Sequence, residues 1–258
     1  MYNEYFLNVF RGFRKSKPRD VGITVIIDHG LGVETEKDIL EVSSEYIDIA
    51  KIMVGIPALI EKSVLAKKIE LYHEKDVLAF PGGQFLEYAF RFDRVHQYFE
   101  AVKNAGFRLI EVSDNLLDIS PAEKSKLIKI AREEYGFKVL GETGNKKVLS
   151  DSQKLIDDIL NCLESGAWKV MFEAAELFDR GQFRSDLIGR ILNRISMENL
   201  IFELPGGWIS GITVSHIYSL QVWLIEELGA EVNIGNVNPF DVLCLEAERN
   251  NLGTHMKL

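Results

Sequence analysis

Acidic side chains stand where the apolar runs of this chain stop. Gly22-Ile23-Thr24-Val25-Ile26-Ile27 runs into Asp28, Arg108-Leu109-Ile110 into Glu111 and Asp114, and Lys138-Val139-Leu140 into Glu142. Lys169-Val170-Met171-Phe172 runs into Glu173 and Leu200-Ile201-Phe202 into Glu203, while Val77-Leu78-Ala79-Phe80 stops at Pro81-Gly82-Gly83 with Glu87 just beyond. Any one such acid commonly caps a helix or pairs with a basic neighbour. As a set at one end of a parallel barrel they would repel unless a cation or positive substrate neutralised them, and they offer the oxygen ligands that a hard divalent cation takes. Lys51 is the sharpest single residue. It lies in the otherwise apolar run 46–54, where its ammonium could hold a carboxylate or phosphate, act as an acid if burial lowers its pKa, or simply reach out to the rim. Asn233 completes the set of strand-end candidates. Gly144-Asn145-Lys146-Lys147 reads equally as an anion-binding loop or a solvated basic turn. His29, beside a glycine turn, is more simply a surface residue than a general base.

Positioning these groups requires alternating strands and helices, and the spacing predicts them. Helical periodicity covers 34–44, 61–75, 94–105, 120–135, 151–165, 185–195, 211–228 and 239–249, each preceded by one of the short apolar runs. Ser120-Pro121-Ala122-Glu123 is a helix start with a serine cap, proline in the first turn and glutamate three residues on. Gly106, Gly136, Gly166 and Gly229 follow helix ends. The second strand is expected over 46–54 and the eighth over 231–234. Eight strand-helix units without a solenoid repeat predict an α/β fold, a single (β/α)8 TIM barrel over 1–258 with residues 1–20 as an N-terminal extension; an open doubly wound sheet is the alternative. Chemistry in such a barrel sits at the C-terminal ends of the strands.

Composition agrees. The chain has 258 residues, 47% hydrophobic, close to the roughly 250 typical of such barrels. A formal net charge of −9 disfavours nucleic acid and anionic membrane as partners. No run reaches the roughly 20 apolar residues of a membrane span, and the first 17 residues lack a signal-peptide core, so a cytoplasmic protein is expected. Cys162 and Cys244 lack metal-type spacing and read as small apolar residues, and the five histidines lack the spacing of a zinc site. The absence of a dinucleotide fingerprint and of a phosphate loop disfavours nicotinamide and ATP chemistry.

Several short motifs, in order, carry a resemblance. Lys17-Pro18-Arg19, Gly22 through Leu31, Tyr46-Ile47-Asp48 with Lys51 and Gly55, and Pro81-Gly82-Gly83 with Glu87 come first. Glu111-Val112-Ser113-Asp114, Asp118-Ile119-Ser120, Glu142 with Gly144, and Glu173 with Glu176 follow. Phe202-Glu203 with Pro205, Val232-Asn233 with Asn236, and Leu245-Glu246 with Arg249 complete the set. Nearly the whole chain thus resembles the phosphosulfolactate synthase family. The resemblance implies a TIM-barrel lyase that adds sulfite to phosphoenolpyruvate with Mg²⁺, on a route to coenzyme M, and that forms homo-oligomers.

For that reaction Glu111, Glu142, Glu173 and Glu203 are the candidates for Mg²⁺ or its water shell. Lys51 is the candidate for the substrate carboxylate, with Asp28, Gly82, Gly83 and Asn233 also expected at the small anionic substrate. Lys146, by its place after strand five, is the candidate proton donor, a place that Asn145 or Lys147 would take if the loop shifts by one. The chain also departs from the family pattern. Ala175 and Gly253 stand where arginines are expected, and Gly206-Gly207-Trp208-Ile209-Ser210 replaces a polar loop. Alanine and glycine cannot replace a guanidinium that grips phosphate or sulfonate oxygens. The departures leave open a divergent member acting on another, less anionic small acid, with Trp208 covering an apolar group, and a non-catalytic binding or stress-related protein on the same scaffold.

Overall fold

A computed structural model of the chain describes residues 15–145, 149–179 and 182–255. Eight parallel strands form one sheet: β1 (Thr24–Asp28), β2 (Ile49–Ile52), β3 (Leu78–Pro81), β4 (Leu109–Val112), β5 (Lys138–Thr143), β6 (Lys169–Glu173), β9 (Leu200–Glu203) and β10 (Ile234–Val237). A two-residue hairpin, β7 (Phe178–Asp179) with β8 (Gln182–Phe183), stands apart after β6. The order β3-β2-β1-β10-β9-β6-β5-β4 leaves β3 and β4 at the two edges. These two strands lie against each other, so the sheet curls into a nearly closed barrel, the predicted (β/α)8 architecture.

Flanking the sheet are α1 (Val33–Ser43), α2 (Ile56–Leu59), α3 (Lys62–Glu74), α4 (Gln84–Arg91), α5 (Val95–Ala105), α6 (Pro121–Glu133), α7 (Ser152–Glu164), α8 (Ser185–Leu192), α9 (Val214–Leu228) and α10 (Val242–Arg249). The predicted capping box opens α6: Ser120 Oγ accepts the Glu123 N–H at 3.3 Å, and Glu123 Oε2 accepts the Ser120 N–H at 3.0 Å. Gly106 ends α5 at φ 102°, in the left-handed region that glycine adopts without a Cβ clash.

Two apolar cores follow from the period-two alternation of strand side chains. Ile23, Val25, Ile49, Phe80, Leu109, Leu140, Met171 and Ile201 fill the barrel interior. Ile26, Ala50, Ala79, Ile110, Val139, Val170 and Phe202 point the other way, into the larger core between sheet and helices. Each large side chain so buried contributes about 1.5–3 kcal/mol.

Three expectations need correction. The second strand is shorter than 46–54, because 44–46 winds into a 3-10 turn before Ile49. The eighth strand of the sheet is Ile234–Val237 rather than 231–234, three residues later, where β10 can pair with β1 and β9. The short helices α2 and α4 and the β7-β8 hairpin occupy stretches for which the spacing predicts no element. Of the expected 1–20 extension only its last residues are described. There Arg19 Nε meets Asp48 Oδ1 at 3.0 Å and the Asp20 carbonyl accepts Lys169 Nζ at 2.9 Å, at the N-terminal ends of β2 and β6.

Candidate active site

Strand parity decides which end groups enter the barrel. Ile49, Leu109, Leu140 and Ile201 point inward, so Lys51, Glu111, Glu142 and Glu203, two residues further on, point inward as well. These four line one cavity of about 620 Å³ at the C-terminal ends of the strands, together with Gly82 and Gly83. Lys51 Nζ stands 3.1 Å from Glu111 Oε1 and 2.5 Å from Glu203 Oε1. Glu111, Glu142 and Glu203 each present a carboxylate oxygen within 4.8 Å of the other two, and all three are buried. Among the described residues lining this cavity, three carboxylates face one ammonium, a balance that a divalent cation would complete. The all-oxygen donor set suits a hard ion, and the limit of 4.8 Å between these oxygens admits the about 3–4 Å that separates ligands of a hexacoordinate Mg²⁺. The residues present fit that ion.

The electrostatics follow from burial and neighbours. Burial alone would lower the Lys51 ammonium, but Glu111, Glu203 and Glu142 outweigh it and hold its pKa well above the ordinary value. With these carboxylates as neighbours and no ion beside them, Lys51 is held in its charged form. Glu111 is pushed up to about 7 by burial and by the carboxylates of Glu142 and Glu203, against the pull of Lys51 and of the Gly83 N–H.

Gly83 N donates to Glu111 Oε2 at 2.6 Å, a bond across the β3-β4 seam. Gly83 has an ordinary helical φ of −61°; what it supplies is space. A Cβ there would lie 2.8 Å from Ser113 Oγ and 2.9 Å from Glu111 Cγ.

Other expected residues are placed elsewhere. Asp28 has the opposite parity to Val25 and Ile27 and points into the helix layer, fully buried. There Oδ1 accepts the N–H groups of Gly30 and Leu31, both at 2.7 Å, and Oδ2 meets Lys68 Nζ at 2.8 Å and the Tyr72 hydroxyl at 3.0 Å. Asn233 precedes β10 and so lies at the N-terminal end of the barrel, where Oδ1 accepts the Ile23 N–H at 2.8 Å and Nδ2 donates to the Leu200 carbonyl. Glu173 is not among the three converging acids. The chain turns into a 3-10 helix at 174–177, and the Glu173 carboxylate accepts the Ala175 N–H at 3.2 Å. Lys146 lies outside the described residues.

Two further acids bind loops rather than the cavity. Glu87 accepts from Ser113 Oγ at 2.5 Å and from the N–H groups of Asn115, Leu116 and Leu117 at 3.1, 2.6 and 2.9 Å. Glu176 accepts from the Asn145 and Ser150 N–H groups, both at 2.8 Å, at either end of the loop that follows β5. Asp114 pairs with the buried Lys124, which also donates to the Glu142 carbonyl at 2.6 Å.

The cavity also has walls absent from the expected set: Gln84, Asn236, Met53, Val54 and Ile209, beside Trp208. Asn236 sits at φ 57°, and Nδ2 donates to the Leu204 carbonyl at 3.1 Å. Had the last strand been placed three residues later, its polar rim residue would have been read as Asn236 rather than Asn233. Among the described residues no helix is long and apolar enough to cross a membrane.

The (2R)-phospho-3-sulfolactate synthase (ComA) family model matches residues 13–254. A phosphosulfolactate synthase of Methanothermobacter thermautotrophicus is 34% identical over 93% of this chain and 92% of its own. A more distant relative, protein HEAT-STRESS-ASSOCIATED 32 of Arabidopsis thaliana, is 24% identical over 94% of this chain and 90% of its own. Among solved structures, the 3-hexulose-6-phosphate synthase of Salmonella typhimurium superposes with a TM-score of 0.54 at 14% identity, covering 89% of this chain and 99% of that one, a likeness of fold alone. By the extent of the family match and the identity to the archaeal synthase, the chain belongs to the (2R)-phospho-3-sulfolactate synthase (ComA) family.

Proposed function

We propose that this chain is a Mg²⁺-dependent lyase of the phosphosulfolactate synthase type, adding sulfite to phosphoenolpyruvate as in coenzyme M synthesis. The observation that carries this reading is the convergence of Lys51 with Glu111, Glu142 and Glu203 on one cavity. In the reaction the sulfur lone pair forms a bond to the terminal alkene carbon, the π pair moves toward the carboxylate, and the adjacent carbon takes a proton. A divalent ion held by Glu111, Glu142 and Glu203 would neutralise charge as it gathers on that carboxylate. Lys51, held charged by its neighbours, binds and orients the carboxylate. Gly82 and Gly83 line the cavity beside it. Lys146 remains the candidate proton donor on its place in the sequence alone. Cytoplasmic residence and homo-oligomer formation belong to the same proposal.

The test is incubation of the protein with phosphoenolpyruvate, sulfite and Mg²⁺, followed by mass spectrometry, beside Glu142→Gln. Product that disappears in the variant is expected; a folded protein that gives none refutes the reading. One observation favours the second reading, a changed substrate or a non-catalytic role. Ala175, where an arginine was expected, lines a small neighbouring pocket with Phe178, Pro205 and Ile212. A non-catalytic protein would show no turnover and no stabilisation by Mg²⁺.

A further inference from the structure

Lys17-Pro18-Arg19, one of the motifs that carry the family resemblance, has no part in the strand-end cavity. It lies at the opposite end of the barrel, where a separate cavity of about 430 Å³ opens at the starts of β2, β3 and β5 and at the residues just before β4 and β6. Ile49, Leu78 and Trp168, which belong to or pack against the interior core, give it an apolar lining. Lys17, Arg19, Arg108 and Lys138 line it as well, with His73. In a chain of net charge −9 such a gathering of cations runs against the average. Three carboxylates also line the cavity. Asp48 is taken by Arg19 Nε at 3.0 Å and by the Thr24 N–H at 2.9 Å, while Asp20 and Asp76 are exposed to water.

Several donors here lack an acceptor. Arg19 is only 7% exposed; its Nη2 donates to the Glu45 carbonyl, but its Nη1 is buried with no hydrogen-bond partner among the described residues. His73 Nε2 is buried without a partner too. Buried polar groups are hydrogen-bonded as a rule, so an orphaned guanidinium nitrogen beside a cavity points to a missing acceptor. Arg108 and Lys138 form no ion pair among the described residues; Lys138 Nζ stands instead over the Trp168 ring, 3.1 Å from its centroid. Burial lowers the pKa of Lys138 and takes Lys17 down to about 8, and burial and the Arg108 charge lower that of His73. At Lys17 and Lys138 lost hydration thus outweighs the nearby carboxylates.

We propose that this cavity binds a small dianionic oxyanion, phosphate or the phosphate head of a small ester, held by Arg108 and Lys138 with the unpartnered Nη1 of Arg19. Guanidinium forks match the oxygens of such a group, and the ammonium of Lys138 adds a point charge. The volume equals roughly fourteen waters at ~30 Å³ each, room for the ion and a few carbons. The site lies at the other end of the barrel from Lys51 and the three glutamates, so it stands or falls apart from the proposed lyase reaction.

The three tryptophans report on the two ends separately: Trp168 lines this cavity, Trp208 lines the strand-end cavity, and Trp223, stacked on Phe183, lines neither. Protein labelled with 5-fluorotryptophan is titrated in chelator with sodium phosphate and with glycerol phosphate, against sodium chloride of equal ionic strength, and followed by fluorine NMR. A saturable shift of the Trp168 resonance is expected at phosphate concentrations that leave Trp223 unmoved. Arg108→Ala and Lys138→Ala, each folded by circular dichroism, are expected to weaken that binding about 10-fold or more, the loss of one charge-assisted contact. Lys51→Met, at the other end, is expected to leave the Trp168 titration unchanged. Tighter binding of glycerol phosphate than of phosphate assigns the site to an ester head group; equal binding assigns it to the free ion. A Trp168 resonance that chloride moves as far as phosphate does, or a phosphate affinity unchanged in both alanine variants, overturns the inference. A shift of Trp208 alone places the ion at Lys51 and overturns it as well.

Discussion

Replacing Lys51 with methionine removes the cation that three buried carboxylates share. Its ammonium lies 3.1 Å from Glu111 and 2.5 Å from Glu203. At an effective dielectric near 20 the two contacts have Coulomb energies of about 5 and about 7 kcal/mol, much of it offset by desolvation of the ions. Methionine keeps the volume but removes the ammonium from beside Glu111 and Glu203, and breaking a buried ion pair from one side costs about 3–5 kcal/mol. For a chain of this size that corresponds to a fall of roughly 10 °C in Tm. The assay is thermal unfolding by circular dichroism in chelator and in saturating Mg²⁺. In chelator Lys51→Met should unfold well below the native protein. Mg²⁺ should raise the variant's Tm more than that of the native protein, because the ion restores the missing positive charge, while product formation stays abolished. A variant as stable as the native protein in chelator, or one that Mg²⁺ does not stabilise, would refute the reasoning that the three acids form one electrostatic unit.

Gly83→Ala should push Glu111 aside, since the new Cβ would sit 2.9 Å from its carboxylate; we expect a loss of about 1–3 kcal/mol in urea unfolding and at least ~10-fold weaker Mg²⁺ binding. Glu87→Gln keeps the shape but halves the acceptor capacity under Ser113, Asn115, Leu116 and Leu117. It should cost about 2–3 kcal/mol and speed amide hydrogen exchange at 115–117, with exchange elsewhere in the barrel unchanged. Glu36, buried beside Lys68, is held up to about 7 from an ordinary 4.5, burial outweighing the Lys68 contact. Its folded-state pKa exceeds the unfolded one, so its contribution is full below about pH 4.5 and is lost as pH rises through 7, up to about 3 kcal/mol in all. The stability difference between native protein and Glu36→Gln, measured by urea unfolding at pH 5 and 8, should change in that direction; no change would refute the assignment.

Local patterning determined the architecture. Short apolar runs alternating with amphipathic stretches, the Ser120-Glu123 capping box and the glycine stops depend on neighbours within a few residues, and the helices they predict lie within a few residues of those observed. The parity of strand side chains is local as well: Lys51, Glu111, Glu142 and Glu203 stand two residues after inward-facing apolar residues, whereas Asp28 does not. That signal was present in the sequence and would have removed Asp28 from the site.

The remaining decisions belong to the tertiary structure, because they depend on groups distant in the chain. Asp28 is claimed by Lys68 and Tyr72 from α3. Asn233 is claimed by strands on either side, because β10 takes its register from β1 and β9 rather than from its own residues. Glu173 has the right parity, yet the backbone turn that follows draws its carboxylate to Ala175. The ring of Trp208 reaches the mouth because residue 206 has no side chain to displace it. Sequence alone settled that acids would gather at one end of a barrel; only the closing of the sheet settled that three of them meet at Lys51, since a shared charge needs strands β2, β4, β5 and β9 at their final distances.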